Sequence, residues 1–260
     1  IIDESFERIR EIEKKMTINT NDTSEIIKLN EASGIHDVSI SPDTFFVLEK
    51  GIYYSELSHG KFDITIGPIV KLWNIGTEYA AVPDSQALNN AIKLIDYKKL
   101  HLNYDEYKAK LDLKGMKVDL GAIAKGYAAD EAADILRKHG IKSSIINLGG
   151  NLLAIGGNVN GNPFKIGVQN PFNPRGDYLG ILNIKDKTVV TSGIYEKYFE
   201  KEGKRYHHIL DPETGYPVEN CLAGVSIITS KSIDGDGFST SVFLLGLDKG
   251  MELVNKEPNV

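Results

Sequence analysis

The apolar runs of this chain are short, mostly bounded by glycine and close together in sequence, and that spacing limits the folds open to it. Strands are expected at 100–104, 109–113, 145–155, 164–169, 179–184, 188–191, 206–210 and 223–229. Strands that follow one another this closely pair antiparallel, because a parallel pair needs a long crossover, usually a helix. Helical periodicity appears in separate stretches. Asp3 to Met16 places Phe6, Ile9, Ile12 and Met16 on one side. Ser41-Pro42-Asp43 opens a helix with Ser as N-cap and Pro at N1; its stripe is Phe45, Leu48, Ile52 and Leu57, and it stops at Gly60. Ser85 or Asp84 caps a third, running through Ile95. The expected class is α+β, mainly antiparallel sheets flanked by helices. With 260 residues, the chain suits one large domain or two closely associated halves, and a single domain over 1–260 is the expectation.

Composition removes several functional classes. A net charge of −6 argues against nucleic-acid binding, which calls for a basic patch. One cysteine, Cys221, rules out an internal disulfide framework and a cysteine-rich zinc site, and its flanks read as core or strand. No apolar run approaches a membrane-spanning length; the longest, such as Val242 to Leu245, are core-sized. The chain starts Ile-Ile without a basic leader, from which a removed signal or anchor is expected.

Three segments carry chemistry. In IDGDGFSTSVFLLG, Asp236 and Thr240 are four residues apart and share one helix face, offering a carboxylate and a hydroxyl of the hard kind Mg²⁺ accepts. Gly235 and Gly237 would let a ligand come close. The alternative is that Asp236 caps a helix ending at Gly246. In VDLGAIAKGYAADEAADILRKHG, Val118 to Leu120 read as a strand end, and Gly121 and Gly126 as the frame of a tight loop. Tyr127 to Lys138 read as a helix with Ala128, Ala132, Ile135 and Leu136 as its stripe and Gly140 as its stop. A loop lysine ahead of a helix N-terminus forms an anion cradle, with Lys125 adding a full charge, or else an ordinary βα turn with a surface lysine. In RYHHILDPETGYPVEN, His207 and His208 sit on a strand and face opposite ways, so one of them can reach a given pocket; His208 is the candidate phosphate or metal neighbour. NLGGNLLAIGGN adds glycine pairs around an apolar strand. The ISPD and DPET charges read as solvated turns.

In chain order, TSEIIKLN, GKFDITIGPIVKLW, VDLGAIAKGYAAD, INLGGNLLAIGG, TSGIYEKYF, HHILDPETGYP and DGFSTSVFLLG together resemble the ApbE family of FAD:protein FMN transferases over nearly the whole chain. The resemblance implies an ApbE-like fold and a Mg²⁺-dependent enzyme. Such an enzyme cleaves FAD, passes FMN to a threonine hydroxyl in a motif of an acceptor protein and releases AMP. It implies Asp236 and Thr240 as side-chain metal ligands and the Ala122 carbonyl as a third. It also implies FAD contacts at Lys61, Phe62, Asp63, Asp119 and Lys125, with another near Ile209 or Leu210. Tyr195 is a candidate flavin neighbour, whereas Trp73 reads as core or pocket wall. No general base is evident; Asp236 and His208 are the candidates, with Lys125 in a supporting charge role. Where the family often has a tyrosine, this chain has Met16-Thr17-Ile18-Asn19, and the family's opening strand and C-terminal end are missing. The resemblance further implies an extracytoplasmic lipoprotein held at a bacterial membrane. An FAD pyrophosphatase and a non-catalytic FAD-binding lipoprotein are the competing functions.

Overall fold

Serine, proline and aspartate set several helix starts in the computed structural model, which describes residues 1–19, 23–173 and 176–260. Its helices are α1 (Ile2–Met16), α2 (Glu25–Glu31), α3 (Pro42–Leu57), α4 (Gly67–Trp73), α5 (Ser85–Ile92), α6 (Ala124–Lys138), α7 (Ser232–Leu245) and α8 (Leu247–Val254). Ser41 accepts a hydrogen bond from the Thr44 amide with Pro42 in the first turn, as its position demands. Asp84, rather than Ser85, caps α5 by accepting from the Gln86 and Ala87 amides, and α5 ends at Ile92, short of the expected Ile95. On α1 the buried face runs through Ser5, Ile12 and Met16; Phe6, expected with them, is 53% exposed.

The strands are β1 (Val38–Ser39), β2 (Leu100–Asn103), β3 (Lys108–Leu111), β4 (Ser143–Asn147), β5 (Asn151–Gly156), β6 (Phe164–Gln169), β7 (Tyr178–Ile184), β8 (Thr188–Gly193), β9 (Tyr198–Lys201), β10 (Lys204–His207) and β11 (Gly224–Thr229). Every ladder between them is antiparallel, so the α+β reading holds. One expected strand, 145–155, is two: Gly149 and Gly150, at φ 57° and 88°, turn β4 back as β5. Val118 to Leu120 form no strand; the nearest pairing is one parallel bridge between Ile66 and Lys117. The sequence also gave no sign of β1 or β9.

The chain divides into two units. The first comprises Ile1–Glu11, Ile123–Tyr195 and Cys221–Val260. Its sheet has the order β11-β8-β5-β4, and β6 and β7 form a separate ribbon. Ala129, Ala133 and Leu136 of α6 bury Leu153 and Ile155 of β5. The second unit comprises Ile12–Ala122 and Glu196–Asn220, with the sheet β1-β3-β2 and the hairpin β9-β10. Its core gathers Ile69, Trp73, Leu88, Ala91 and Leu210. Trp73 is fully buried, its indole nitrogen donates to the Gly215 carbonyl at 2.7 Å, and Phe199, Tyr206 and Tyr216 surround its ring. It is a core residue. Cys221, by contrast, is exposed.

Candidate active site

A helix begins with backbone amides that have no partner within it. In the first unit α6 and α7 solve this for each other. Asp130, two turns into α6, accepts from the Ser232 and Ile233 amides that open α7, at 2.9 and 3.0 Å. Asp236, in the second turn of α7, accepts from the Gly126 amide in the first turn of α6 at 2.6 Å. Asp236 therefore caps a helix, but not its own. The exchange requires close approach: a Cβ at Gly126 would lie 2.4 Å from the Ser232 carbonyl oxygen. Gly126 is thus a helix residue and not the frame of a loop, and Lys125 stands in the first turn of α6 with an exposed side chain. Gly235 serves packing rather than ligand approach, since a Cβ there would meet Val190 of β8 at 2.5 Å.

Asp236 is 4% exposed. Its Oδ2 faces Gly126, and its Oδ1 accepts from Asn151 Nδ2 at 3.1 Å. Burial pushes its pKa up to about 6, against the opposing pull of the Lys125 charge and of these two hydrogen bonds. Asp130 is likewise raised by burial. One turn along α7, Thr240 is half-buried, and its hydroxyl lies 3.2 Å from Ser192 Oγ, which is itself 2.9 Å from Ser239 Oγ. The i, i+4 spacing puts Asp236 and Thr240 on one face of α7. Among the described residues no three His, Cys, Asp or Glu side chains gather to hold a metal. One carboxylate with a neighbouring hydroxyl is a sparse, hard donor set. It fits a cation such as Mg²⁺, which keeps waters and takes phosphate oxygens.

The sequence model of the ApbE family matches residues 2–260. The chain belongs to the ApbE family. It is 38% identical to an FAD:protein FMN transferase of Klebsiella pneumoniae (strain 342), covering 98% of this chain and 78% of that one. It is 35% identical to one of Treponema pallidum (strain Nichols), covering 100% and 75%. Its structure is similar to the crystal structure of an ApbE protein of Thermotoga maritima, with TM-score 0.90 and 31% identity over 99% of this chain and 82% of that one. It is also similar to the flavin transferase ApbE of Vibrio cholerae, with TM-score 0.87 and 28% identity over 98% and 81%.

The other candidate residues of this ApbE-family chain are placed differently. Tyr195 ends the first unit, half-buried, with its ring against Gly193 and Gly224. Ala122, half-buried, is the residue at which the second unit leads into α6. In the second unit, Lys61 bridges Asp211 at 3.2 Å and Glu213 at 2.8 Å. Burial acts against its charge, but the hydrogen bonds to Glu213 and Asp211 prevail and raise its pKa. Asp211 is thus no solvated turn charge, and neither is Asp43, which pairs with Lys15. Asp63 is buried and accepts from the Thr65 amide and hydroxyl, each at 2.7 Å, and from the Tyr97 amide at 3.0 Å. The Phe62, Ile209 and Leu210 side chains are buried. Asp119 accepts from the Gly121 amide at 2.7 Å; burial raises its pKa, with the Lys197 charge opposing.

The two histidines do face different surroundings. Nδ1 of the buried His207 accepts from the Ile209 amide, so in the neutral ring Nε2 carries the proton and donates to the Val218 carbonyl at 3.1 Å. Burial lowers its pKa, which leaves it a neutral structural group. His208 is exposed, and its Nδ1 lies 3.2 Å from the Lys197 carbonyl. A carbonyl only accepts, so Nδ1 holds the proton, and the lone pair of the neutral ring is on Nε2. Asn151, Asp130, Ser192 and Ser232 escaped the sequence reading. The one available signal was the i, i+4 spacing of Gly126 and Asp130, which puts them on the same face of α6.

Proposed function

We propose that this chain transfers FMN from FAD to a threonine hydroxyl of an acceptor protein and releases AMP. The observation that carries this reading is the buried Asp236 at the N-terminus of α6, beside the charge of Lys125 and one turn from Thr240. It is a setting for a cation and a pyrophosphate, in a chain whose relatives bear the name FAD:protein FMN transferase. Asp236 and Thr240 would hold Mg²⁺, with the Ala122 carbonyl as the third ligand implied by the resemblance. Bound there, Mg²⁺ supplies positive charge to the phosphates. Lys125 and the first-turn amides of α6 add to it in the same sense. In the reaction the acceptor oxygen bonds to the phosphorus of the FMN half while the bond from that phosphorus to the AMP oxygen breaks; the hydroxyl proton passes to a base. Asp236, with a pKa of about 6, and His208, through Nε2, are the groups suited to take it.

Lys61, Phe62, Asp63, Asp119, Ile209, Leu210 and Tyr195 are the proposed FAD contacts. Since the Phe62, Ile209 and Leu210 side chains are buried, their contribution would come from the backbone. By the same resemblance the protein is proposed to act outside the cytoplasm, anchored to a bacterial membrane by an N-terminal lipid. Among the described residues no helix is long and apolar enough to cross a membrane. The test is to incubate the protein with FAD, Mg²⁺ and a domain carrying a threonine acceptor motif. A mass gain of one FMN on the domain with AMP in solution is expected. AMP without label would indicate hydrolysis, and FAD bound with neither product would indicate a carrier.

A further inference from the structure

We infer that Asn151 is a positioning residue that fixes the orientation of the Asp236 carboxylate toward a divalent cation. The inference rests on the metal role proposed for Asp236 and adds to it a residue with no contact to the cation. Asn151 opens β5 directly after the Gly149-Gly150 turn and is fully buried. A buried primary amide contributes nothing to an apolar core and is tolerated only when its polar atoms are paired. Here both ends are engaged. Ser232 Oγ donates to Asn151 Oδ1, and Asn151 Nδ2 donates to Asp236 Oδ1.

The Asp236 contact settles which way the amide points: an ionised carboxylate only accepts, so Nδ2 faces it and Oδ1 is left to the Ser232 hydroxyl. Ser232 Oγ also lies 3.0 Å from Thr188 Oγ1, and the Ser232 amide is held by Asp130, so the hydroxyl is anchored from two sides. With its oxygen toward Ser232, Asn151 presents NH₂ to Asp236. The terminal torsion of an aspartate is broad and two-fold, so a single donor leaves the carboxylate plane loosely defined. Two donors, one on each oxygen, define it: the Gly126 amide on Oδ2 and Asn151 on Oδ1. Each oxygen keeps a second lone pair, and the direction of those lone pairs is where a cation bonds. Groups that orient a ligand in this way typically change metal affinity roughly 10–100-fold when removed.

The test uses Mn²⁺ as a paramagnetic probe of the whole chain without FAD, its Kd read by electron paramagnetic resonance, alongside the Mg²⁺ dependence of FMN transfer. Asn151→Leu should weaken Mn²⁺ binding about 10-fold or more. It should raise the Mg²⁺ concentration needed for half-maximal transfer by a similar factor, while the rate at saturating Mg²⁺ falls less than about 3-fold. Thr229→Val removes a buried hydroxyl of the same unit that bonds the Lys231 carbonyl and lies outside the Ser232–Asn151–Asp236 chain, and it should leave the Mn²⁺ Kd unchanged; a matching loss there would mean that general loosening of the surroundings is the cause and would overturn the inference. If Asn151→Leu does not fold, Ser232→Ala keeps Asn151 but removes the group that orients it, and Mn²⁺ should again bind several-fold more weakly. Wild-type affinity in the folded variant also overturns the positioning role. Asp236→Ala separates the two levels: if it binds Mn²⁺ as the wild type does, the metal reading itself falls and this inference with it.

Discussion

Asp63 in the second unit and Asp236 in the first are both buried carboxylates that bind backbone amides, yet they are built for different ends. Asp63 receives three hydrogen bonds, two of them from Thr65, its neighbour two residues on, and one from Tyr97. Its donors tie the 63–65 turn to the backbone at Tyr97. Asp236 receives two, from residues 110 and 85 positions away, and depends on a nearby lysine to offset its burial. Burial raises the pKa of both. Asp63 commits three acceptor sites to its own chain, so the FAD contact proposed for it comes on top of a structural role. A carboxylate that retains acceptor capacity at a helix N-terminus beside a cation is suited to a ligand.

The largest expected effect separates the two by activity. Asp236→Ala should lower FMN transfer, followed by mass spectrometry of the acceptor, by about 100-fold or more, through loss of charge stabilisation at the phosphates. Full Mg²⁺-dependent activity in this variant would remove the distinction. Stability should rank them the other way. Asp63→Ala leaves two amides and the Thr65 O–H without an acceptor and should lower unfolding free energy in urea by roughly 3–5 kcal/mol. Asp236→Ala should lower it less at pH 8, because relief of a buried charge offsets two lost hydrogen bonds; equal losses would mean that Asp236 is a structural group like Asp63.

The pH dependence sharpens the same comparison. A carboxyl whose pKa rises from 3.8 to about 6 on folding binds its proton more tightly in the native state. Its stabilising contribution is complete at low pH and is lost as pH rises through about 6. In EDTA, wild type relative to Asp236→Asn should lose about 2 kcal/mol between pH 4 and pH 7, with the sign reversed from that of an ion-paired carboxylate. A flat difference curve from urea titrations would show that burial does not penalise the charge. The smallest effect belongs to Lys61→Met. Glu213 is 70% exposed in its pair with Lys61 and is screened by solvent, so the Lys61–Asp211 pair, 25% and 13% exposed, carries most of the stability loss, about 1–2 kcal/mol. A larger loss would place the Lys61 cluster among the structural elements with Asp63.

Much of this molecule follows from local rules. The antiparallel α+β class came from short, closely spaced apolar runs, the start of α3 from Ser41-Pro42, and the start of α5 from an Asp-Ser pair. The motif order carried the family resemblance, and the i, i+4 spacing put Asp236 and Thr240 on one face. Errors arose where local spacing underdetermines the chain. The run 145–155 reads as one strand by its apolar residues, yet the Gly149-Gly150 pair that flanks an apolar strand within it reverses the chain there, and Phe6 fits the helical stripe of α1 but stays exposed. Likewise His207 and His208 were separable in principle, but only the structure decides which is buried.

The sequence by itself determined the fold class, most of the helices, the family and the shared helix face of Asp236 and Thr240. Tertiary structure alone decided that Asp236 caps α6 instead of α7, that Asp130 returns the cap, and that Asn151 meets the second carboxylate oxygen. The reason is physical. Periodicity and capping preferences record interactions within a few residues, whereas the pKa of Asp236 depends on desolvation and on donors brought from distant parts of the chain.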